Sequence, residues 1–243
     1  MAPPGIGDRV EGLHAARAAI GARRVRRLTV ERSRVEALAD IIDEAERQGI
    51  PVDIVEDVRA AAVTDAPQGV IAECRPISPV DLGAAIAATD PAALLVLDHI
   101  EDPRNVGAIA RTAVAAGFRA LVVPRRRAAP LGATAFKAAA GAFEALAIVE
   151  ISSVAGVIAE LKDRGVWVVA LDAAGDRSLF GLDLLTEPVA LVLGAEGHGV
   201  SRLVRDRSDV VASIPLIGPM ESLNASVAAA LAVYEVARVR GWA

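Results

Sequence analysis

Three short polar segments of this 243-residue chain combine residue types that bind ligands and assist reactions. The first contains Asn105 and Arg111, the second contains Glu196 among glycines, and the third contains Ser222 and Asn224. Amide, guanidinium, carboxylate and hydroxyl groups together can orient a polar ligand and stabilise charge that develops on it. Each segment follows an apolar run that is typical of a buried strand. Because ligands bind at the carboxyl ends of parallel strands, we expect the three segments to meet at one pocket.

The same residues also have ordinary structural interpretations. Asn105, Ser222 and Asn224 stand at predicted helix starts, where such side chains commonly act as caps. Arg111 and Glu196 have an alternative interpretation as ordinary charged side chains on the protein surface. The glycine-rich stretch at 194–199 matches neither GxGxxG nor a phosphate-binding loop, although its glycines allow backbone to approach a ligand closely. His198 has no companion residues at metal-ligand spacing, and the sequence predicts no metal site.

The elements that must position these segments fall into two predicted α/β domains. In the C-terminal one, buried apolar strands alternate with helices, which predicts a mainly parallel sheet. In the N-terminal one, helices are predicted at 11–20 and 34–47, and strands at 25–30, 51–55 and 69–74. The predicted divisions of the chain are an N-terminal domain at 1–75, a proline-containing linker at 76–91 and a C-terminal domain at 92–243.

Composition limits the class of protein. A hydrophobic fraction of 53% with 23% charged residues is typical of a globular chain. No apolar run reaches the ~18 residues of a membrane span, and the first residues lack the pattern of an export signal. Cys74 is the only cysteine, so an intrachain disulfide and a cysteine zinc cluster are excluded. These features predict a cytoplasmic protein with no membrane partner.

Charge is distributed unevenly along the chain. The net charge is −5, which is unusual for a nucleic-acid binder, yet residues 1–35 contain eight arginines against three acids. Such a segment is suited to contact phosphates. The chain has only two lysines, Lys137 and Lys162, so the arginine richness is equally consistent with a compositional bias.

The residues of the three segments resemble the signatures of the SpoU-type, or TrmH-like, RNA ribose 2′-O-methyltransferase family. The first resemblance covers Asp102 to Gly107 and continues through Arg111 to Ala113. The second lies at 193–197. The third comprises Ile214-Pro215 and the segment 222–227. Further matches in the N-terminal domain, at 12–20 and 69–76, resemble the RlmB-like branch, which modifies a guanosine of 23S ribosomal RNA.

The resemblance implies a fold, a cofactor and a set of site residues. The C-terminal domain would be a trefoil-knotted α/β (SPOUT-type) methyltransferase domain, and the N-terminal domain would be a ribosomal L30e-like RNA-binding domain. Asn105, Arg111, Glu196, Ser222 and Asn224 would be catalytic. S-adenosylmethionine would be held by Gly194, Ile214 and Leu223, with Met220 beside Leu223 in an apolar slot. Members of the family are typically homodimers, and no metal is required.

The implied reaction is transfer of a methyl group to a ribose 2′-hydroxyl of 23S rRNA or of an assembling large ribosomal subunit. An activated Arg111 is the base implied by the family, while an electrostatic role for its guanidinium uses the same residues. Three alternatives stay open: a non-catalytic RNA-binding protein of ribosome assembly, a family member that methylates another rRNA or a tRNA ribose, and a small-molecule α/β enzyme.

Overall fold

The structure is a computed structural model that describes residues 5–195 and 199–241. The strands in chain order are β1 (Arg9–Glu11), β2 (Val25–Glu31), β3 (Val52–Val55), β4 (Val70–Cys74), β5 (Ala93–Asp98), β6 (Ala120–Pro124), β7 (Ala147–Ile151), β8 (Trp167–Leu171), β9 (Arg177–Ser178), β10 (Val189–Gly194) and β11 (Val210–Ser213). The α-helices are α1 (Leu13–Gly21), α2 (Ala39–Arg47), α3 (Leu82–Ile86), α4 (Pro103–Ala115), α5 (Ala133–Ala139), α6 (Val154–Asp163), α7 (Arg202–Arg207) and α8 (Ala225–Val239).

Two compact units divide the chain, and their boundaries differ from the predicted ones. The N-terminal unit comprises Met1–Ser78 and Pro130–Ala145, and the C-terminal unit comprises Pro79–Ala129 and Leu146–Ala243. The predicted linker at 76–91 therefore belongs mostly to the C-terminal unit, where it forms α3. The segment 130–145, predicted within the C-terminal domain, belongs to the N-terminal unit.

The N-terminal unit is built on a four-stranded sheet in the order β1-β4-β2-β3. Strands β2 and β3 are parallel, and the other pairs are antiparallel. The predicted strands and the helix at 11–20 are confirmed with small shifts of their ends. The helix predicted at 34–47 begins only at Ala39, because Arg32–Arg34 and Glu36–Leu38 form 3₁₀ turns. Such turns are frequent before the start of an α-helix.

Aromatic packing holds the segment 130–145 in the N-terminal unit. The rings of Phe136 and Phe143 are fully buried, with centroids 4.7 Å apart. A side chain on Gly7 would overlap the Phe136 ring, and one on Gly141 would overlap Ala18. These close approaches are contacts between residues far apart in sequence, so hydrophobic periodicity along the chain did not predict them.

A buried ion pair joins the same segment to Arg24, the residue before β2. The Nε atom of Arg24 lies 2.8 Å from Oε2 of Glu144, and its Nη2 atom donates to Oε1 of Glu144. The two side chains are only 12% and 10% exposed. The guanidinium also lies 5.7 Å from the centroid of the Phe136 ring. Burial lowers the pKa of Arg24, but its hydrogen bonds and charge pairing with Glu144 outweigh this and raise it.

The C-terminal unit contains a seven-stranded sheet in the order β7-β6-β5-β10-β8-β11-β9, and every strand pair in it is parallel. All residues of β5 are buried, as are all but the last of β10. Such uninterrupted apolar strands are expected where helices cover both faces of a parallel sheet. The predicted α/β class with a mainly parallel sheet is confirmed. The trefoil knot and the L30e-like topology stay predictions.

Two further properties follow from the described residues. In 5–195 and 199–241, no helix has the length and apolar character needed to span a bilayer. Cys74 is buried in β4, and burial raises the pKa of its thiol to about 12. The thiol is therefore protonated, and unreactive as a nucleophile, at neutral pH.

Candidate active site

The carboxyl ends of four neighbouring strands meet at one edge of the C-terminal sheet. Gly194, at the end of β10, pairs in register with Asp98, at the end of β5. On the other side of β10, Leu171 of β8 pairs with Ala212 of β11. The polar segments follow these strand ends, so the parallel sheet brings together parts of the chain that are far apart in sequence, as predicted.

The first cavity at this edge contains four of the predicted site residues: Gly194, Ile214, Ser222 and Leu223. Its walls are mostly apolar, with backbone groups exposed between small residues. The other residues that line this cavity are Leu171, Asp172, Ala173, Ala174, Leu193, Ala195, Gly199, Ala212, Leu216, Glu221, Ala225 and Ala228.

A close backbone approach shapes the wall of the first cavity at Gly194. A side chain at this position would overlap the carbonyl group of Gly199 and the amide nitrogen of Val200. The Gly199 N–H also donates to the Ala195 carbonyl at 3.0 Å. Gly199 has φ of +62°, and a side chain there would overlap the carboxylate of Asp172. A side chain at Gly194 therefore requires backbone movement, while one at Gly199 requires a shift of the Asp172 carboxylate in a left-handed conformation that favours glycine.

Asn105 and Asn224 meet across two helix starts. The carboxylate of Asp102 caps α4 by accepting the Arg104 N–H at 2.8 Å, so Asn105 lies in the first turn rather than at the cap. Asn224 caps α8, since its Oδ1 accepts the Ser226 N–H at 2.8 Å. Its Nδ2 donates to Oδ1 of Asn105 at 3.2 Å. Asn224 is therefore a helix cap whose amide also contacts Asn105, so its capping role does not exclude the predicted site role.

A second cavity adjoins the first. Both are lined by Ala195, Gly199 and Ala225. The second cavity is lined on its other sides by His99, Ile100, Glu101, Asp102, Asn105, Val200 and Ser201. Asn105 therefore faces the second cavity, while Ser222 and Leu223 face the first. Two ligands can thus be placed side by side at this edge of the sheet.

Four predicted site residues are not part of the described lining of these cavities. Asn224 contacts Asn105 from the start of α8 but lines neither cavity. Arg111 is exposed on α4, almost two turns beyond Asn105. Met220 is 70% exposed and does not line the apolar slot predicted for it beside Leu223. It lies in the loop before α8, where its side chain extends into solvent. Glu196 lies outside the described residues.

The sequence interpretation missed Asp172, which lines the first cavity. Its side chain is 7% exposed and accepts from the Ala174 N–H at 2.9 Å and from Nη2 of Arg205 at 3.1 Å. The available signal was its position directly after the apolar strand β8, the same pattern that identified the other segments. Within the described residues, no group of three or more His, Cys, Asp or Glu side chains is arranged to hold a metal ion.

Comparison with protein-family models gives two matches. Residues 92–234 match the SpoU rRNA methylase family, and residues 9–80 match the substrate-binding domain of RNA 2′-O ribose methyltransferases. The first match alone covers more than half of the chain. The N-terminal match ends close to the predicted end of that domain.

Relatives of similar length agree with these matches. A 23S rRNA (guanosine-2′-O-)-methyltransferase of Yersinia pestis is 38% identical over 216 residues, covering 89% of this chain and 85% of the relative. A putative TrmH family tRNA/rRNA methyltransferase of Bacillus subtilis is 39% identical over 205 residues, covering 82% of each protein.

Among solved structures, the SpoU methyltransferase AviRb of Streptomyces viridochromogenes in complex with AdoMet superposes with a TM-score of 0.80. It is 26% identical, and the superposition covers 97% of this chain and 91% of AviRb. The first cavity combines mostly apolar walls with a close backbone approach at Gly194, a combination common in pockets for small ligands such as S-adenosylmethionine (AdoMet). From the family matches, the relatives and the shared fold, the chain belongs to the SpoU family of S-adenosylmethionine-dependent RNA 2′-O-methyltransferases.

Proposed function

We propose that this protein methylates the ribose 2′-hydroxyl of a guanosine in 23S ribosomal RNA. The observation that carries the proposal is the convergence of the predicted segments at adjoining cavities, joined by the hydrogen bond between Asn224 and Asn105. Relatives from Yersinia pestis and Ralstonia nicotianae, 38% and 37% identical, are both named 23S rRNA (guanosine-2′-O-)-methyltransferases, which supports guanosine as the acceptor.

In this proposal the first cavity holds S-adenosylmethionine. Leu193, Ile214 and Leu223 provide apolar contacts, and the missing side chain of Gly194 leaves backbone accessible. Pockets for small ligands commonly combine apolar walls with a few placed polar groups. When bound, the cofactor supplies a methyl group that its sulfonium makes electrophilic.

The polar residues around the two cavities have separate proposed roles. Asn105 and Asn224 orient the acceptor ribose, and Ser222 contributes a hydroxyl from the first cavity. A guanidinium carries a permanent positive charge, so we assign Arg111 to phosphate binding and charge stabilisation rather than to proton removal. Glu196 is proposed to fix the Arg111 guanidinium. Alignment of oxygen, methyl carbon and sulfur provides much of the acceleration in this scheme.

The direct test is transfer of labelled methyl from S-adenosylmethionine to 23S rRNA that lacks the modification. The nucleosides are identified after digestion. We expect 2′-O-methylguanosine, with its formation abolished in Asn105→Ala. Binding of the cofactor without transfer to rRNA or to precursor subunits would contradict the proposal and favour a non-catalytic role in ribosome assembly.

A second candidate is methylation of a tRNA ribose. The relative from Bacillus subtilis is named a tRNA/rRNA methyltransferase, and a solved structure with 31% identity over 63% of this chain concerns 2′-OH methylation of C/U34 on tRNA. The same assay with total tRNA as acceptor distinguishes the two. Labelled 2′-O-methylcytidine or 2′-O-methyluridine from tRNA would favour this candidate.

Ribosomal RNA as substrate also implies a place of action. We propose that the protein works in the bacterial cytoplasm on 23S rRNA, either naked or in an assembling large subunit. Comparison of methyl transfer to both substrates under the same conditions separates these forms.

We also propose that an arginine groove on the N-terminal unit contacts RNA phosphates. The groove is lined by Arg23, Arg26, Arg47 and Arg75 and, between them, by Val25 and residues 48–51. All four arginines are exposed. Arg47 pairs with Glu44, while no carboxylate partner of Arg23 or Arg26 appears among the described residues. Only two arginines of the cluster predicted at residues 1–35, Arg23 and Arg26, line this groove.

Most other arginines of the predicted cluster are already neutralised. Arg17 pairs with Asp40, Arg27 with Asp53 and Arg32 with Glu56. These carboxylates follow in the sequence by more than 20 residues, so counting charges at 1–35 overestimated the basic surface. Arg23 and Arg26 line the groove and have no carboxylate partner in the described structure, so they are the best candidates of the predicted cluster for phosphate contacts.

Removal of these two charges is expected to weaken RNA binding and its salt dependence. For Arg23→Ala/Arg26→Ala we expect the slope of log affinity against log salt to become less negative by about 1 to 2 units, because each lost phosphate contact removes about one unit or somewhat less. Fluorescence anisotropy with a 23S fragment measures this. The control Arg27→Gln/Asp53→Asn removes an internally paired arginine and should leave the slope unchanged; equal effects in both variants would contradict the assignment.

A homodimer is proposed from the exposed face of α8. Val227, Leu231 and Tyr234 are 47%, 38% and 53% exposed, and their spacing places them on one side of the helix. The opposite side packs on the C-terminal unit through residues such as Ala229 and Val233. A row of exposed apolar side chains on an otherwise buried helix is typical of a subunit interface.

Introduction of a charge into this row is expected to dissociate the dimer. Sedimentation velocity should show a dimer for wild type and a monomer for Leu231→Glu at micromolar concentration, since burial of an unpaired carboxylate is costly. Leu203→Glu is the control, because Leu203 is 52% exposed on α7 and outside the row. If Leu231→Glu and Leu203→Glu both remain dimeric, the interface lies elsewhere. A monomeric wild type would contradict the dimer itself.

A further inference from the structure

His99 and Asp98 form a pair beside the second cavity that no proposed role uses. Asp98 is the last residue of β5, and its side chain is only 2% exposed. Its Oδ1 lies 2.7 Å from Nδ1 of His99, and its Oδ2 accepts the Ser201 N–H at 2.9 Å. Because a carboxylate only accepts hydrogen bonds, Nδ1 of His99 is the donor. This leaves Nε2 of the ring for a ligand.

The backbone of His99 is held in an uncommon conformation. Its φ is +61°, in the left-handed region that favours glycine and asparagine. Non-glycine residues persist there only where the surrounding structure imposes the conformation, and such positions concentrate at functional sites. Here the hydrogen bond to the buried Asp98 carboxylate fixes the His99 ring, whose side chain is 44% exposed and lines the cavity.

The chemistry of the cavity limits what can occupy it. Its volume is about 550 Å³, within the ~300–1,000 Å³ typical of ligand pockets. Glu101 and Asp102 also line it, so its walls are rich in hydrogen-bond acceptors and carry negative charge. A phosphate would be repelled by these carboxylates, whereas the hydroxyl, imino and amino groups of a nucleoside are donors. The shared wall with the first cavity places such a nucleoside beside the methyl donor.

We propose that His99 is a substrate-contacting residue whose Nε2 accepts a hydrogen bond from the acceptor nucleoside of the RNA, with Asp98 as its positioning residue. This inference rests on the proposed function and names the part of the substrate that the second cavity receives. It also gives a role to the acidic wall, which discriminates against insertion of the phosphate backbone and favours the nucleoside.

The first variant is His99→Gly, because glycine adopts the left-handed backbone without strain. We expect kcat/KM for RNA to fall about ten- to hundredfold, the effect of losing one hydrogen bond in a substrate complex and leaving its partner unpaired. The dissociation constant for S-adenosylmethionine, measured without RNA, should stay within about twofold, a change that is small beside one lost hydrogen bond. His99→Asn keeps a polar side chain suited to this backbone and should recover part of the activity. His14→Gln, on the exposed face of α1, is the matched control and should equal wild type.

The second variant tests the positioning role of Asp98. In Asp98→Asn the amide oxygen can still accept the Ser201 N–H, but the amide nitrogen then donates to Nδ1 of His99. Nε2 becomes a donor, the wrong polarity for the proposed contact. We expect a loss comparable to that of His99→Gly, and no further loss in the double variant, because both changes remove one interaction. If the losses of the two single variants instead multiply in the double variant, Asp98 acts independently of His99, through the loop at Ser201.

The outcomes separate this inference from the proposed function. If wild type methylates rRNA and His99→Gly matches it in kcat/KM and in RNA affinity with S-adenosylhomocysteine bound, the inference is wrong and the proposed function stands. If wild type transfers no methyl group to any RNA, the proposed function fails. In that case the RNA affinities alone decide: equal values for wild type and His99→Gly overturn the contact, and a tenfold weaker variant supports it.

Discussion

Gly194→Ala is expected to abolish most cofactor binding and, with it, methyl transfer. The new Cβ would overlap backbone atoms of Gly199 and Val200, which cannot rotate away as a side chain would. The segment beyond β10 must therefore move, and it forms a wall of both cavities. Forcing extra volume into a packed site costs about 1–3 kcal/mol, so affinity for S-adenosylmethionine should fall about ten- to hundredfold. Isothermal titration calorimetry measures this directly.

Gly156→Ala is the matched control for a glycine substitution in the same unit. Gly156 lies in α6, where a side chain would make only ordinary contact with Ser153. Alanine is also favoured over glycine within a helix by about 1 kcal/mol. Unchanged cofactor affinity in both variants would mean that the backbone at 199–200 adjusts freely and that Gly194 is not required by the cavity.

Arg24→Ala is expected to cause the largest loss of stability in the N-terminal unit. It leaves the Glu144 carboxylate, 10% exposed, without its guanidinium partner. Removal of one member of a buried ion pair typically costs about 3–5 kcal/mol. The loss also includes the contact with the Phe136 ring. Hydrogen exchange of β2 and β4 amides during urea unfolding is the appropriate measurement, since Trp167 reports on the C-terminal unit.

Two companion variants separate burial from simple loss of an arginine. Arg17→Ala removes an ion pair whose side chains are 51% and 59% exposed, and exposed pairs contribute at most about 1 kcal/mol. Arg24→Met/Glu144→Gln replaces the buried charges by neutral groups and should recover much of the stability. An Arg24→Ala protein as stable as Arg17→Ala would show that Glu144 is rehydrated without cost.

The sequence predicted the architecture of the C-terminal unit well because its strands are apolar without interruption. Such runs, separated by helices, admit few arrangements other than a parallel sheet. Strand ends then meet at one edge, which agrees with Gly194, Ile214, Ser222 and Leu223 lining one cavity. The choice of these particular residues came from the family resemblance. The hydrogen bond between Asn105 and Asn224 agrees with the expected convergence of the segments, but that individual contact was not predicted. The roles of the predicted site residues stay predictions until the variants are measured.

The errors have a common physical origin in contacts between distant parts of the chain. The partner of Arg24 lies 120 residues away, so local charge counting could not find it. Asp98, the buried carboxylate beside His99, is the last residue of an apolar strand, and the sequence does not distinguish it from an ordinary strand end. Met220 was assigned to a slot from its apolar character, but side-chain direction in an irregular loop is set by tertiary packing. Sequence periodicity carries no information on such contacts.

The placement of 130–145 in the N-terminal unit has a consequence for the order of folding during synthesis. When residue 78 leaves the ribosome, the sheet of this unit is complete, but Phe136, which packs against Gly7, and Gly141, which packs against Ala18, have not been made. The unit finishes only after β5, α4 and β6 of the other unit have emerged. Nascent chains halted before residue 130 should therefore present an unfinished, protease-sensitive unit, and those halted well beyond 145 a protected one.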